Sequence, residues 1–237
     1  NLALYISEQR AGFTYLDFNV DKTFEIPKNL VTTEKHSFYF QTVIDKLDPL
    51  PFSIAPLPDG RILLVEKMRG LSIISKDGKQ SALIKSTPTV YKDTSAPDVG
   101  LLYGVGWMMD VAIDPDYEKN GWVYLQYGDR CRDCNDISRK TGLPVSMNKL
   151  VRGRISNGRW VDEQTIWQSD RKFYGTIADA AAGGRIAFDD SGHVFISIGL
   201  KGNDNYNGIQ DLQYPWGKIH RVHTDGSLPN DNPFVKH

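Results

Sequence analysis

One pattern occurs three times in this chain and limits what it can become. An apolar-Ala-apolar step is followed by an acidic turn ending in Gly, and then by a run rich in β-formers. The copies are Phe52 to Lys67 (FSIAPLPDGRILLVEK), Met109 to Tyr127 (MDVAIDPDYEKNGWVYLQY) and Gly183 to Asn203 (GGRIAFDDSGHVFISIGLKGN). The steps are Ile54-Ala55-Pro56, Val111-Ala112-Ile113 and Ile186-Ala187-Phe188, and the turns close on Gly60, Gly121 and Gly192. Two apolar runs around a Gly-containing acidic turn predict a β-hairpin, because hairpin turns demand the positive φ that Gly adopts without strain.

A further strand follows each hairpin: Gly70 to Ser75, Lys149 to Ser156 and Gly217 to Thr224, each before a Gly turn. The first two turns lead into short fourth strands, Ser81 to Ile84 and Thr165 to Gln168. The expectation is therefore an all-β chain of four-stranded antiparallel meanders. Repeated meanders of this kind point to a β-propeller, whose radial arrangement protects sheet edges, with a β-sandwich as the alternative. About three blades are present, too few to close a ring, so the rest are expected on a continuation or a second chain. Residues 34–237 are assigned to the partial propeller. Residues 1–33 match none of the repeats and are expected to be an extra β segment or the tail of a preceding domain.

Basic and acidic residues nearly balance, at 28 and 29, and give no global attraction to nucleic acid or an anionic membrane. No apolar run is long enough to span a bilayer. A small neutral ligand suits this chain better than a polyanion. The only cysteines, Cys131 and Cys134, stand C-x-x-C in a polar segment. Haem attachment would need His after the second Cys, zinc two further ligands, and a thioredoxin-like motif a strand-to-helix setting. A small disulfide closing a surface loop in an oxidising compartment is the expectation.

In an antiparallel hairpin the start of the first strand and the end of the second share an edge. The three Gly turns therefore mark one propeller face, and the segments flanking the hairpins gather on the other. These include Glu66 to Gly70, Asp98 to Asp110, Tyr127 to Asn148, Tyr174 to Gly184 and Gly199 to Gln213. Long polar insertions displayed by a rigid scaffold identify this as the working face.

The motifs Leu57-Pro-Asp-Gly-Arg61 with Val65-Glu66-Lys67, Asp110-Val-Ala-Ile-Asp-Pro-Asp116, Gly183-Gly-Arg-Ile-Ala-Phe188, Ser197-Ile-Gly199, and Gly217-Lys-Ile with Asp225-Gly-Ser-Leu-Pro-Asn-Asp-Asn-Pro233 together resemble the glucose/sorbosone dehydrogenase family. The resemblance implies a six-bladed propeller and a periplasmic or extracellular protein. It further implies a pyrroloquinoline quinone (PQQ) cofactor over the channel, a small sugar as substrate, and calcium bound through residues outside this chain. The family's general-base His falls on Ala181 and a family Gln on Gly106; after Gly199 this chain reads Leu200, Lys201, Gly202, Asn203. Asp179 is then the nearest candidate base, and Lys201, Asn203 and Arg185 are candidates to contact an anionic quinone. The resemblance implies a divergent sugar or aldose dehydrogenase. The alternatives are a non-catalytic propeller binding carbohydrate or protein, and a calcium-dependent lactonase-type hydrolase.

Overall fold

The computed structural model describes residues 25–45, 47, 51–92, 104–201 and 208–234. The apolar alternation from Leu2 to Val20 and the candidate Asn203 lie outside the described residues. The chain divides into two compact units, Asn1–Val43 and Ile44–His237. In the first, β1 (Val31–Thr32) pairs with β2 (Ser37–Phe38) in a two-stranded hairpin. Thr33 caps its turn, the hydroxyl donating to the His36 carbonyl at 2.9 Å.

The second unit holds three antiparallel sheets, each a meander in chain order. Sheet one is β3 (Pro51–Pro56), β4 (Ile62–Glu66) and β5 (Gly70–Ile74). Sheet two is β6 (Met108–Ile113), β7 (Val123–Cys131), β8 (Val145–Ser156) and β9 (Arg159–Gln168). Sheet three is β10 (Gly183–Phe188), β11 (His193–Ile198) and β12 (Lys218–His223). Each sheet is a propeller blade, and the three repeated hairpins form the first two strands of each. Gly60, Gly121 and Gly192 sit at φ of 83°, 68° and 81°, the left-handed geometry that admits Gly.

The blades stack face to face. Ala55, Leu63 and Leu71 of sheet one pack against Val111, Leu125 and Val151 of sheet two. The other side of sheet two meets sheet three through Tyr124, Leu150, Val194, Ile196 and Val222. Sheet two is thus buried on both faces. Burying one Leu of this kind stabilises the fold by roughly 1.5–3 kcal/mol.

The structure departs from the expected elements in three places. Ser81 to Ile84 does not form a regular fourth strand of sheet one. Ser81 and Ile84 still donate to the Ile73 and Leu71 carbonyls at 2.8 Å each, but Lys85 turns to sheet two. Its amide donates to the Gly158 carbonyl at 3.0 Å, and its own carbonyl accepts from Trp160 at 2.8 Å, so this segment fastens two blades together. The second turn contains a short helix, α1 (Tyr117–Asn120), stopped by Gly121. Strands β7 and β8 also run further than their apolar residues suggest, leaving only residues 132–144 between them, with helix α2 (Asp136–Thr141) inside. Asn135 caps α2 by accepting from the Ser138 amide at 3.0 Å, and Cys131 and Cys134 form the expected disulfide at its entrance.

Candidate functional site at the working face

The first strands of the three blades all enter from one face, and each carries the same irregularity. The register shifts between Pro51 and Ser53 in β3, between Met108 and Asp110 in β6, and between Gly183 and Ile186 in β10. A bulge turns the side chains beside it away from the regular alternation. Here the repeated bulges bring one residue from each strand into a single cluster. The Asp110 carboxylate accepts from the Ser53 hydroxyl, from Arg185 Nη1 at 3.2 Å and from the Ile186 amide at 2.8 Å. Asp110 is buried and Arg185 is 55% exposed, so the guanidinium is tethered at one edge and open at the other. The Arg185 amide also donates to Ser197 Oγ at 2.9 Å.

A second node lies behind this cluster, at the junction of blades two and three. Asp179 belongs to a 3-10 turn, Asp179–Ala181, immediately before β10. Its Oδ2 accepts from the Gly106 and Trp107 amides at 2.7 and 2.8 Å, and its Oδ1 accepts from Ser146 Oγ at 2.9 Å and Lys201 Nζ at 2.7 Å. The Lys201 ammonium also donates to Ser146 Oγ at 2.6 Å and to the Ile177 carbonyl at 2.9 Å. Both charged side chains have zero exposure. Two charges can remain that deep because every donor and acceptor is met. Gly128 makes room for them: a Cβ there would stand 2.1 Å from Asp179 Oδ2.

Lys67, at the end of β4, is the third charged group. Its ammonium stands 4.0 Å from the centre of the Phe52 ring and 4.8 Å from that of Trp107. Arg185 lies 4.7 Å from the same Phe52 ring. Partial burial pushes the Lys67 pKa below the usual lysine value; the neighbouring Asp179 charge opposes that shift and Arg185 adds to it.

The structure thus brings Arg185 into the Asp110 cluster and places Asp179 and Lys201 together in the buried node. Ala181, where the resemblance puts a base, is exposed beside that node, and its carbonyl accepts from the Leu200 amide at 2.7 Å. Reading by sequence missed Ser53, Asp110 as an acceptor, Lys67 and Gly128. The residues preceding each Ala step were the available signal, since bulges recur at the same place in every copy. Only 12% of the His193 side chain is exposed, its Nδ1 lies 2.8 Å from Asp189, and its ring packs against that of His223 at 4.8 Å. Trp107, Met108 and Met109 are buried, as core packing requires. Among the described residues no group of three or more His, Cys, Asp or Glu side chains is gathered as a metal ion would need. Among them, too, no helix is long and apolar enough to cross a membrane.

Antiparallel blades of three or four strands packed face to face, with charged side chains collected where their first strands enter, define a partial β-propeller. The sequence profile described as Glucose / Sorbosone dehydrogenase matches residues 48–237, and the chain belongs to that family. It is 30% identical over 195 residues to the aldose sugar dehydrogenase YliI of Escherichia coli K12, a match covering 81% of this chain and 46% of that protein. The crystal structure of the apo-form of the soluble E. coli aldose sugar dehydrogenase superimposes with a TM-score of 0.61 at 26% identity, over 79% of this chain and 48% of the other. The PQQ-bound aldose sugar dehydrogenase of Streptomyces coelicolor has the same fold, with a TM-score of 0.59 at 23% identity over 89% of this chain and 54% of its own. The chain spans about half the length of the curated relatives it matches.

Proposed function

We propose that this chain supplies blades of a divergent quinone-dependent sugar dehydrogenase, oxidising a sugar hydroxyl at the channel end of the working face. The observation that carries the reading is the convergence of Ser53, Asp110 and Arg185, one residue from each first strand, on a single hydrogen-bonded cluster. An aldose presents several hydroxyls, and such a cluster offers both acceptors and a donor for them. The donor set also fits an anionic quinone, because the Arg185 guanidinium is more than half exposed beyond its bond to Asp110. Arg185 would hold the PQQ, with Asn203 a further candidate. Bound there, PQQ would supply the two-electron oxidant.

In this reading Asp179 and Lys201 act as positioning residues. With both carboxylate oxygens engaged, Asp179 fixes the Gly106–Trp107 loop beside the cluster, and Lys201 acts through it. Calcium, if required, would be held elsewhere in the full protein. Further blades, on a continuation of the chain or a second chain, cover the outer face of sheet three. There Ile219, Leu228 and Phe234 are exposed around a groove of about 700 Å³. The disulfide supports a periplasmic or extracellular site of action.

A second reading, a propeller that binds carbohydrate without turning it over, is favoured by one feature. Ala181 offers no side-chain proton acceptor where the resemblance puts a base. Reconstituting the full-length protein with PQQ and calcium, then measuring aldose-dependent dye reduction, separates the two. Dye reduction supports the dehydrogenase; sugar binding without reduction supports the binder. Lactone hydrolysis with calcium alone would favour a hydrolase over both.

A further inference from the structure

Lys67 is the charged group for which the arrangement above leaves no use. Among the described residues its ammonium has no carboxylate and no hydrogen-bond acceptor; its only close partners are the rings of Phe52 and Trp107. The charges that face it are Asp179 and Arg185. Neither compensates it. Asp179 is engaged at 2.7 Å by Lys201, and Arg185 is a second cation on the same Phe52 ring. The nearby Asp110 carboxylate is taken by Arg185, Ser53 and a backbone amide. Trp107 adds a further unmet donor, for its indole Nε1 is buried without an acceptor. A half-buried ammonium and a neighbouring guanidinium with an open edge make a surplus of positive charge at one point of the working face.

We infer that Lys67, with Arg185 beside it, is an anion-recognition site that takes a carboxylate of a small organic ligand lying over the Phe52 ring. The cation–π contacts hold the ammonium in place without consuming its hydrogens, so its three donors stay available to an oxygen acceptor. A carboxylate there would neutralise the excess and accept from both side chains, the pairing that planar guanidinium and point-charge ammonium serve best together. A neutral hexose would leave the charge uncompensated. The carboxylate that suits the proposed function is that of an acidic sugar as substrate, and the inference rests on that reading for the sugar alone. The inference shares its location with that function but not its chemistry, since an anion can bind here without any turnover.

The test is a set of equilibrium titrations of the full-length protein with D-glucuronate, D-glucose and PQQ, followed by calorimetry and by Trp fluorescence. Wild type is compared with Lys67→Met, which keeps the apolar stem, and Lys67→Arg, which keeps the charge. Thermal melts of the three proteins establish that each is folded. Loss of an ammonium–carboxylate bond is expected to weaken binding at least about tenfold in Lys67→Met, with Lys67→Arg close to wild type and added salt weakening these two more than Lys67→Met. Glucuronate binding with this pattern, and none by glucose, identifies an acidic sugar. The pattern for PQQ with no glucuronate binding would assign the ammonium to the quinone already proposed and overturn the inference. Equal affinity of wild type and Lys67→Met for every probe, or no binding of either acidic probe, overturns the inference. Absence of dye reduction alongside the expected Lys67 dependence would remove the dehydrogenase and leave the anion site standing.

Discussion

Replacing Lys201 with Met tests the buried node that ties blades two and three together. The substitution keeps most of the side-chain length and removes the ammonium, leaving Asp179 with no cation at a position of zero exposure. Three hydrogen bonds disappear with it, to Asp179, Ser146 and the Ile177 carbonyl, while those from the Gly106 and Trp107 amides remain. Removing one partner of a buried pair costs about 3–5 kcal/mol, because the other charge is stranded. In a compact unit of this size each kcal/mol shifts Tm by about 2–4 °C, so a fall of about 6–20 °C is expected. Asp179→Asn should cost a similar amount. Because the two residues belong to one network, the double variant should be less destabilised than the sum of the singles by at least about 1 kcal/mol. Urea denaturation followed by circular dichroism gives all four values of the cycle. A loss below about 1 kcal/mol in Lys201→Met, or strict additivity, would refute the placement of this pair as a mutually compensating buried node.

Three further outcomes follow from other parts of the structure. Gly128→Ala forces a methyl into the Asp179 carboxylate and should cost about 1–3 kcal/mol in chemical denaturation, with Gly142→Ala near a vacant surface as the contrasting measurement of pure backbone strain. Reducing Cys131–Cys134 opens only a short loop, so the loss should be near 2 kcal/mol or below, read as a Tm decrease of a few degrees in dithiothreitol; non-reducing thiol titration should find no free thiol. Burial pushes the His220 pKa below its ordinary value, so the unfolded chain takes up a proton before the folded chain does. Its contribution is therefore full above the unfolded pKa of about 6.5 and is lost as pH falls below it, and His220→Gln should flatten that part of the stability–pH profile measured by urea titrations.

The blades were legible because their signals are local. Alternating apolar residues around Gly60, Gly121 and Gly192 specify hairpins regardless of what surrounds them, and all three glycines adopt the positive φ that the turns require. The ends of strands were less legible. Polar residues such as Gln126, Asp129 and Arg130 continue β7 because neighbouring strands, not their own propensities, hold them there. Ser81 to Ile84 failed as a strand because Lys85 bonds to the next blade. At the candidate site the sequence singled out Asp179, Arg185 and Lys201, but residue type alone does not say which partners each of two buried carboxylates, Asp179 and Asp110, will meet. Those partners are distant in the chain: Ser146 and Gly106 for Asp179, Ser53 and Arg185 for Asp110. Lys67 escaped notice for the same reason, since its placement over the Phe52 ring beside Arg185 exists only in three dimensions.

The most direct test of the account is calorimetric titration of PQQ into the full-length protein with calcium, for the wild type and for Arg185→Met. The account predicts saturable quinone binding by the wild type and weakening of about tenfold or more when the guanidinium is removed. Failure of the folded wild-type protein to bind the quinone, or binding indifferent to Arg185, would contradict it.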